Sequence, residues 1–136
     1  MNQALLYVGA FLSLGWGISH LIATKPVVTG FGDISEDNRR IITMEWIAEG
    51  VTLVFIGVLV ALVTYLSRAT GLGALVNYLE GVTAVSRTVF LASFVLLNVF
   101  SVISLFTGFK IKFLPFRLCP VILTSASIMI LLGLYI

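Results

Sequence analysis

The chain has 136 residues, of which 60% are hydrophobic and 10% are charged, and its formal net charge is +2. Because so few charged side chains cannot cover a soluble domain, this composition excludes one and predicts a single integral membrane domain over residues 1–136. Membrane flanks account for the small positive charge, and no dense basic stretch indicates a nucleic-acid partner. The partner that the composition does predict is the lipid bilayer.

Four apolar segments predict an all-α bundle of four transmembrane helices, at about residues 3–23, 37–66, 85–106 and 118–136. The segments lack the alternation of a membrane β-barrel. Neither terminus carries a basic residue. Six of the eight basic residues lie in the first and third loops: Lys25, Arg39, Arg40, Lys110, Lys112 and Arg117. The positive-inside rule therefore places these loops in the cytoplasm and both termini on the non-cytoplasmic side of the cell membrane.

The first segment carries a stripe of small residues that permits the close approach of another helix: Gly9, Ser13 and Gly17. His20 continues this stripe toward the bundle, either as a neutral imidazole bonded to a carbonyl or hydroxyl group or as a functional group. Trp16 lies deeper than an interfacial residue needs, so it packs in the core or walls a binding site. The Lys25-Pro26 pair predicts the end of this helix.

The second segment places two carboxylates, Glu45 and Glu49, on one helix face near its start. An ionisable group in a spanning helix costs about 3 kcal/mol, so these acids need partners, protonation or water. Trp46 beside them is either an interfacial anchor or the wall of a site. Small residues recur every seven positions on an adjacent face and predict a packing seam: Thr43, Gly50, Gly57 and Thr64.

The second half of the chain contributes fewer polar groups. A short surface helix is expected in the middle connection, at residues 74–80. In the third segment, Asn98 and Ser101 share a face near the predicted cytoplasmic end, and Thr124 on the fourth segment lies at similar depth. Such side chains form interhelical hydrogen bonds or face a ligand. Cys119, the single cysteine, is expected to be a small apolar helix residue.

Polar groups from all four helices therefore meet in one half of the membrane. The candidate catalytic residues are His20, Glu45 and Glu49, because imidazole and carboxyl groups can exchange protons with a bound molecule. The candidate ligand-binding residues are Trp16, Trp46, Asn98, Ser101 and Thr124. No metal site is predicted, since one histidine and two carboxylates lack a second histidine or a cysteine. The sequence identifies no cofactor.

A resemblance to a known family appears in the first half of the chain. Residues 12–21, LSLGWGISHL, and residues 48–60, AEGVTLVFIGVLV, are similar to the DoxX-like group of small four-helix membrane proteins. The resemblance rests on Gly17, His20, Glu49 and Gly50, while Glu45 and the long acidic first loop depart from the usual pattern. It implies a four-helix fold and a role in membrane redox systems, often as a partner subunit.

Three functions fit these observations. The preferred one is a binding or accessory protein that holds a lipophilic molecule, such as a quinone or isoprenoid. The alternative is a membrane-embedded isomerase or hydratase that uses His20 and a glutamate as proton donor and acceptor. A proton-coupled transporter or channel would require an oligomer, because four short helices enclose little lumen, and no broken helix pair supports it. Whether the chain is an enzyme, a homo-oligomer or the partner of another membrane protein stays open.

Overall fold

The structure, a computed structural model, describes residues 1–69, 76–108 and 114–136. It contains four helices: α1 (Gln3–Gly30), α2 (Glu36–Ala69), α3 (Val76–Gly108) and α4 (Leu114–Tyr135). Each is long and apolar enough to cross a membrane. The prediction of an all-α, four-helix membrane fold is confirmed at this level.

Helix α1 continues for a further turn beyond Pro26, so the predicted stop at Lys25-Pro26 is wrong. Proline removes one helical hydrogen bond and costs about 3 kcal/mol inside a helix. Val27 and Val28 hold the added turn in place, because both are buried in the bundle. The Thr29 hydroxyl also donates to the Pro26 carbonyl oxygen at 3.1 Å.

Helix α3 begins earlier than expected from the hydropathy of the sequence. Its first described residue is Val76, nine positions before the predicted start at residue 85. Residues 76–80 of the predicted short surface helix are therefore the start of α3, and residues 74 and 75 lie outside the described residues. Polar residues at this end of α3 lowered the local hydropathy without ending the helix.

The four helices form a ring of antiparallel neighbours. Helix α1 packs on α2 and α4, and α3 packs on α4. Among the described residues, α2 and α3 make the least contact of the neighbouring pairs. Leucine and β-branched residues from every helix fill the centre, and the largest fully buried side chains there are Phe90, Leu6, Leu53, Leu97, Leu123 and Ile130. One end of the ring, here called the site end, holds the last turns of α1 and α3 and the first turns of α2 and α4.

Glycines let the backbones of α1 and α2 approach closely. A Cβ atom on Gly17 would lie 2.7 Å from the Gly50 carbonyl oxygen, and one on Gly57 would lie 2.7 Å from the α1 backbone. Between these points the Ser13 hydroxyl donates to the Leu53 carbonyl oxygen at 2.9 Å. The two predicted stripes of small residues are therefore close-packing surfaces at Gly17, Gly50 and Gly57, where they join α1 to α2 and fix the register of His20, whereas Gly9 of α1 packs on Ile130 and Ala126 of α4.

Candidate functional site

A partly enclosed cavity of about 400 Å³ lies at the site end of the bundle. Helix α1 contributes His20, and α2 contributes Glu45, Trp46, Ala48, Glu49 and Thr52. Helix α3 contributes Phe100, Ile103, Ser104 and Thr107, and α4 contributes Phe116 and Cys119. Most of the exposed wall is apolar, although six of the twelve lining residues carry polar groups, which converge from α1, α2 and α3.

His20 is buried, with 5% of its surface exposed, and the orientation of its ring is fixed. Its Nδ1 atom lies 3.1 Å from the carbonyl oxygen of Trp16, one turn earlier on α1. Because a carbonyl oxygen only accepts hydrogen bonds, Nδ1 carries the proton and donates. The other ring nitrogen, Nε2, faces Glu49, whose Oε1 atom is 3.7 Å away.

The two tryptophans of the chain enclose the His20 ring. Trp46 stacks on it with ring centroids 4.6 Å apart, and Trp16 meets it edge-on at 5.5 Å. Trp46 also donates from Nε1 to the His20 carbonyl oxygen at 2.7 Å, and Phe116 packs against its ring at 5.1 Å. Aromatic pairs of this kind contribute about 0.5 to 1.5 kcal/mol each beyond area burial. The imidazole is therefore held in a rigid aromatic frame.

The two glutamates occupy different environments. Glu49 is 28% exposed, and its Oε1 atom lies close to both His20 Nε2 and, at 3.9 Å, Cys119 Sγ. Glu45, one turn earlier, is exposed at the cavity. Of the two predicted acids, Glu49 has close partners on other helices, as an acid in a spanning helix requires.

Four of the residues predicted for this site are not among the described residues that line the cavity: Trp16, Asn98, Ser101 and Thr124. Trp16 packs behind the lining, edge-on against the His20 ring. Asn98 donates from Nδ2 to the Phe94 carbonyl oxygen of its own helix at 2.8 Å. Ser101 donates to the Pro120 carbonyl oxygen at 3.0 Å, and its hydroxyl lies 2.7 Å from the Thr124 hydroxyl. Ser101 and Thr124 therefore connect α3 to α4 beneath the cavity.

The Ser101–Thr124 contact gives a test of this packing. Interhelical hydrogen bonds of this kind contribute about 0.6 kcal/mol on average and at most about 1.7 kcal/mol. Replacing Ser101 by alanine is expected to lower the free energy of unfolding in this range, and a double-mutant cycle with Thr124→Val should show positive coupling. Ser125→Ala is the control, because its hydroxyl bonds only its own helix at the Val121 carbonyl. Additive effects of Ser101→Ala and Thr124→Val would contradict the contact.

Cys119 is the main residue at this site that sequence reasoning missed. Its buried sulfur accepts hydrogen bonds from Trp16 Nε1 and Ser104 Oγ, each at 3.3 Å. The available signal was topological: Trp16 lies in the second half of the first predicted span and Cys119 in the first half of the fourth, and antiparallel packing brings those halves to one level. Phe116, which closes the aromatic wall, was missed for the same reason.

The chemistry available at the site is that of an imidazole, a carboxyl group and a thiol beside an aromatic cavity. The imidazole and the carboxyl group can each accept or donate a proton, and all three can bind a metal ion. The hydroxyls of Thr52, Ser104 and Thr107 add hydrogen-bonding groups along the wall. Comparisons of this chain with protein-family models, with curated proteins and with solved structures found no match.

Proposed function

We propose that the cavity at the site end binds a lipophilic small molecule with a polar head, such as a quinone or isoprenoid. The observation that carries this proposal is the pairing of His20 with Glu49 at the wall of an otherwise mainly apolar cavity between helices long enough to span a membrane. A volume of about 400 Å³ lies within the range of small-molecule sites, roughly 300 to 1,000 Å³.

Each part of the wall suits one part of such a ligand. Trp46, Phe100 and Phe116 offer aromatic faces to a planar head or an isoprenoid chain. The Glu49 carboxyl group can accept a hydrogen bond from a ligand hydroxyl group, or donate one to a ligand carbonyl group when it is protonated. The Ser104 hydroxyl donates to Cys119 Sγ, and its oxygen can accept a hydrogen bond from the ligand. A few polar groups in an apolar wall fix the orientation of a bound molecule.

We propose the cell membrane as the location, with multiple spans, both termini on the non-cytoplasmic side and the site end in the cytoplasmic half. The basic residues of the first and third loops support this orientation. Membership of the DoxX-like group, and a role as an accessory subunit of a membrane redox system, belong to the same proposal. Two contacts between α1 and α2 support this part of the proposal, because they join the residues on which the resemblance rests. Gly17 faces Gly50, and His20 faces Glu49.

Tryptophan fluorescence tests the binding proposal directly. Both tryptophans of the chain contact His20, so a quinone in the cavity should quench the emission of the purified protein in a saturable way. We expect Glu49→Gln to raise the Kd at least about tenfold, which is about 1.4 kcal/mol. Glu36→Gln is the control, because Glu36 pairs with Arg40 at the exposed start of α2.

Lipid analysis provides the second measurement. Mass spectrometry of lipids that copurify with the protein should identify one enriched quinone or isoprenoid species. Two results together would contradict the proposal. The quenching by a short-chain benzoquinone would not saturate, and the copurified lipids would have the same composition as the membrane.

An acid/base enzyme is the second candidate, and the arrangement of His20 and Glu49 favours it. An imidazole and a carboxyl group that meet at one cavity can act as proton acceptor and donor for an isomerisation or hydration of a lipid-like substrate. If this activity exists, mass spectrometry and chromatography should detect an isomerised or hydrated product of the copurified lipid. Glu49→Gln should then abolish product formation at saturating substrate.

A further inference from the structure

We propose that His20, Glu49 and Cys119 form a binding site for a divalent transition-metal ion of the zinc class. Their ligand atoms, an imidazole nitrogen, a carboxylate oxygen and a sulfur, all lie within 4.8 Å of one another. They come from three different helices, α1, α2 and α4, so packing of the bundle creates the cluster. The site stands independently of whether the cavity also binds a lipophilic molecule.

The separation between His20 and Glu49 fits a shared metal ion better than a direct hydrogen bond. His20 Nε2 lies 3.7 Å and Cys119 Sγ lies 3.9 Å from Glu49 Oε1. A direct N–H···O bond is closer to 3.0 Å. Zinc bonds of about 2.0 to 2.3 Å in a tetrahedron place neighbouring ligand atoms about 3.3 to 3.8 Å apart. Side-chain movements of roughly 1 Å would bring all three atoms to this geometry.

His20 has the orientation of a metal ligand. Its Nδ1 proton goes to the Trp16 carbonyl oxygen, which leaves the Nε2 lone pair directed toward Glu49. Metal-binding histidines usually donate their second ring N–H to a carbonyl or carboxylate group in this way. In a neutral imidazole, the Nε2 lone pair would face the lone pairs of the carboxylate oxygen. A cation between them turns this repulsion into two attractive contacts.

Cys119 is a buried thiol that donates to Glu49 Oε1 at 3.9 Å, so a metal ion that binds its sulfur must displace the thiol proton. Trp16 Nε1 and Ser104 Oγ both donate hydrogen bonds to Sγ at 3.3 Å. Hydrogen bonds to the charged form of a group favour that form, and the thiolate is the species that binds metals. A thiolate and a carboxylate together carry two negative charges, which one divalent ion neutralises.

The three ligands leave a fourth metal position directed at the cavity, since all three residues line it. Three protein ligands with one open position are typical of catalytic zinc sites, whereas structural sites use four. The sequence alone predicted no metal site, because its candidate ligands were one histidine and two carboxylates. The structure replaces Glu45 in that set by Cys119, a softer ligand that zinc and cobalt prefer.

Cobalt binding tests this site. The purified protein is first treated with a chelator and then titrated with Co²⁺. We expect one equivalent to produce visible d–d bands and a near-ultraviolet band from thiolate-to-cobalt charge transfer, and Zn²⁺ to displace both. The near-ultraviolet band can arise only from Cys119, because the chain has one cysteine. Its absence from the wild-type protein at saturating Co²⁺ would overturn the proposal.

Single replacements assign the ligands. Cys119→Ser should abolish the charge-transfer band, and His20→Gln and Glu49→Gln should each weaken Co²⁺ binding by more than the 10- to 100-fold typical of residues outside the ligand shell. Asp37→Asn is the matched control, because this acid is exposed in the first turn of α2, and wild-type affinity is expected. Wild-type Co²⁺ affinity in Cys119→Ser would also overturn the proposal.

A measurement on the unaltered protein covers the case in which Cys119→Ser fails to fold. Bound Zn²⁺ should slow the alkylation of Cys119 by a small maleimide at least about tenfold, because the metal-bound thiolate is less available. Mg²⁺, which prefers oxygen ligands, should give no protection. Equal alkylation rates with and without Zn²⁺ would show that His20 and Glu49 form only an ion pair beside a free thiol.

Discussion

A Gly17→Ala protein is expected to be less stable than the wild type by about 1 to 3 kcal/mol, the usual cost of overpacking. The added Cβ atom would lie 2.7 Å from both the Gly50 carbonyl oxygen and the Val54 nitrogen. Those atoms belong to the α2 backbone and cannot rotate away as a side chain can. Helices α1 and α2 would therefore have to separate, which also moves His20 away from Glu49. Thermal unfolding in detergent micelles measures the loss.

Gly15→Ala is the matched control, two residues away on the same helix. A Cβ atom on Gly15 meets nothing within 4 Å, so this replacement should raise stability by up to about 1 kcal/mol through helix propensity. The two substitutions are chemically identical, and we expect their effects to have opposite signs. Equal shifts in the unfolding temperature would contradict the close α1–α2 contact.

Replacing Ala48 by phenylalanine is expected to block the cavity. Ala48 lines the cavity and is exposed, so the new ring can occupy the space without displacing a buried side chain. The Kd for a quinone, measured by tryptophan quenching, should rise at least about tenfold, or about 1.4 kcal/mol. The free energy of unfolding should change little, because the replaced methyl group supports no core contact.

Ala92→Phe is the control for Ala48→Phe. Ala92 is an exposed alanine of α3 that is not among the described lining residues. It should leave quinone affinity unchanged while adding the same ring to the protein surface. If both variants bind quinone like the wild type, the molecule that quenches fluorescence is not in the cavity.

The fold could be predicted from the sequence because length and hydropathy determine spanning helices directly. The residues at which the helices begin and end were harder to predict. Pro26 suggested a stop, and only the burial of Val27 and Val28, a property of the packed bundle, explains the extra turn. The early start of α3 at Val76 was missed because hydropathy reports lipid contact rather than helical backbone.

Site residues could be predicted where the periodicity of a single helix placed them on one face. His20 follows the small residues that pack on α2, so its approach to an acid on α2 follows from the pattern. Cys119 gave no such signal, since nothing within α4 indicates which residues of α1 and α3 lie opposite it. Periodicity identifies the face that a residue occupies, whereas its neighbours on other helices depend on register and crossing geometry.

The uneven contacts around the helix ring restrict how any bilayer-dissolved molecule could reach His20. At Gly17 and Gly50 the backbones of α1 and α2 almost touch, so no acyl chain fits between them. Over the residues that the structure describes, α2 and α3 make the least contact of the neighbouring pairs, and they border the cavity at Thr52 and Phe100. A hydrophobic ligand of the proposed site would therefore enter sideways from the lipid, between α2 and α3, rather than through an aqueous channel.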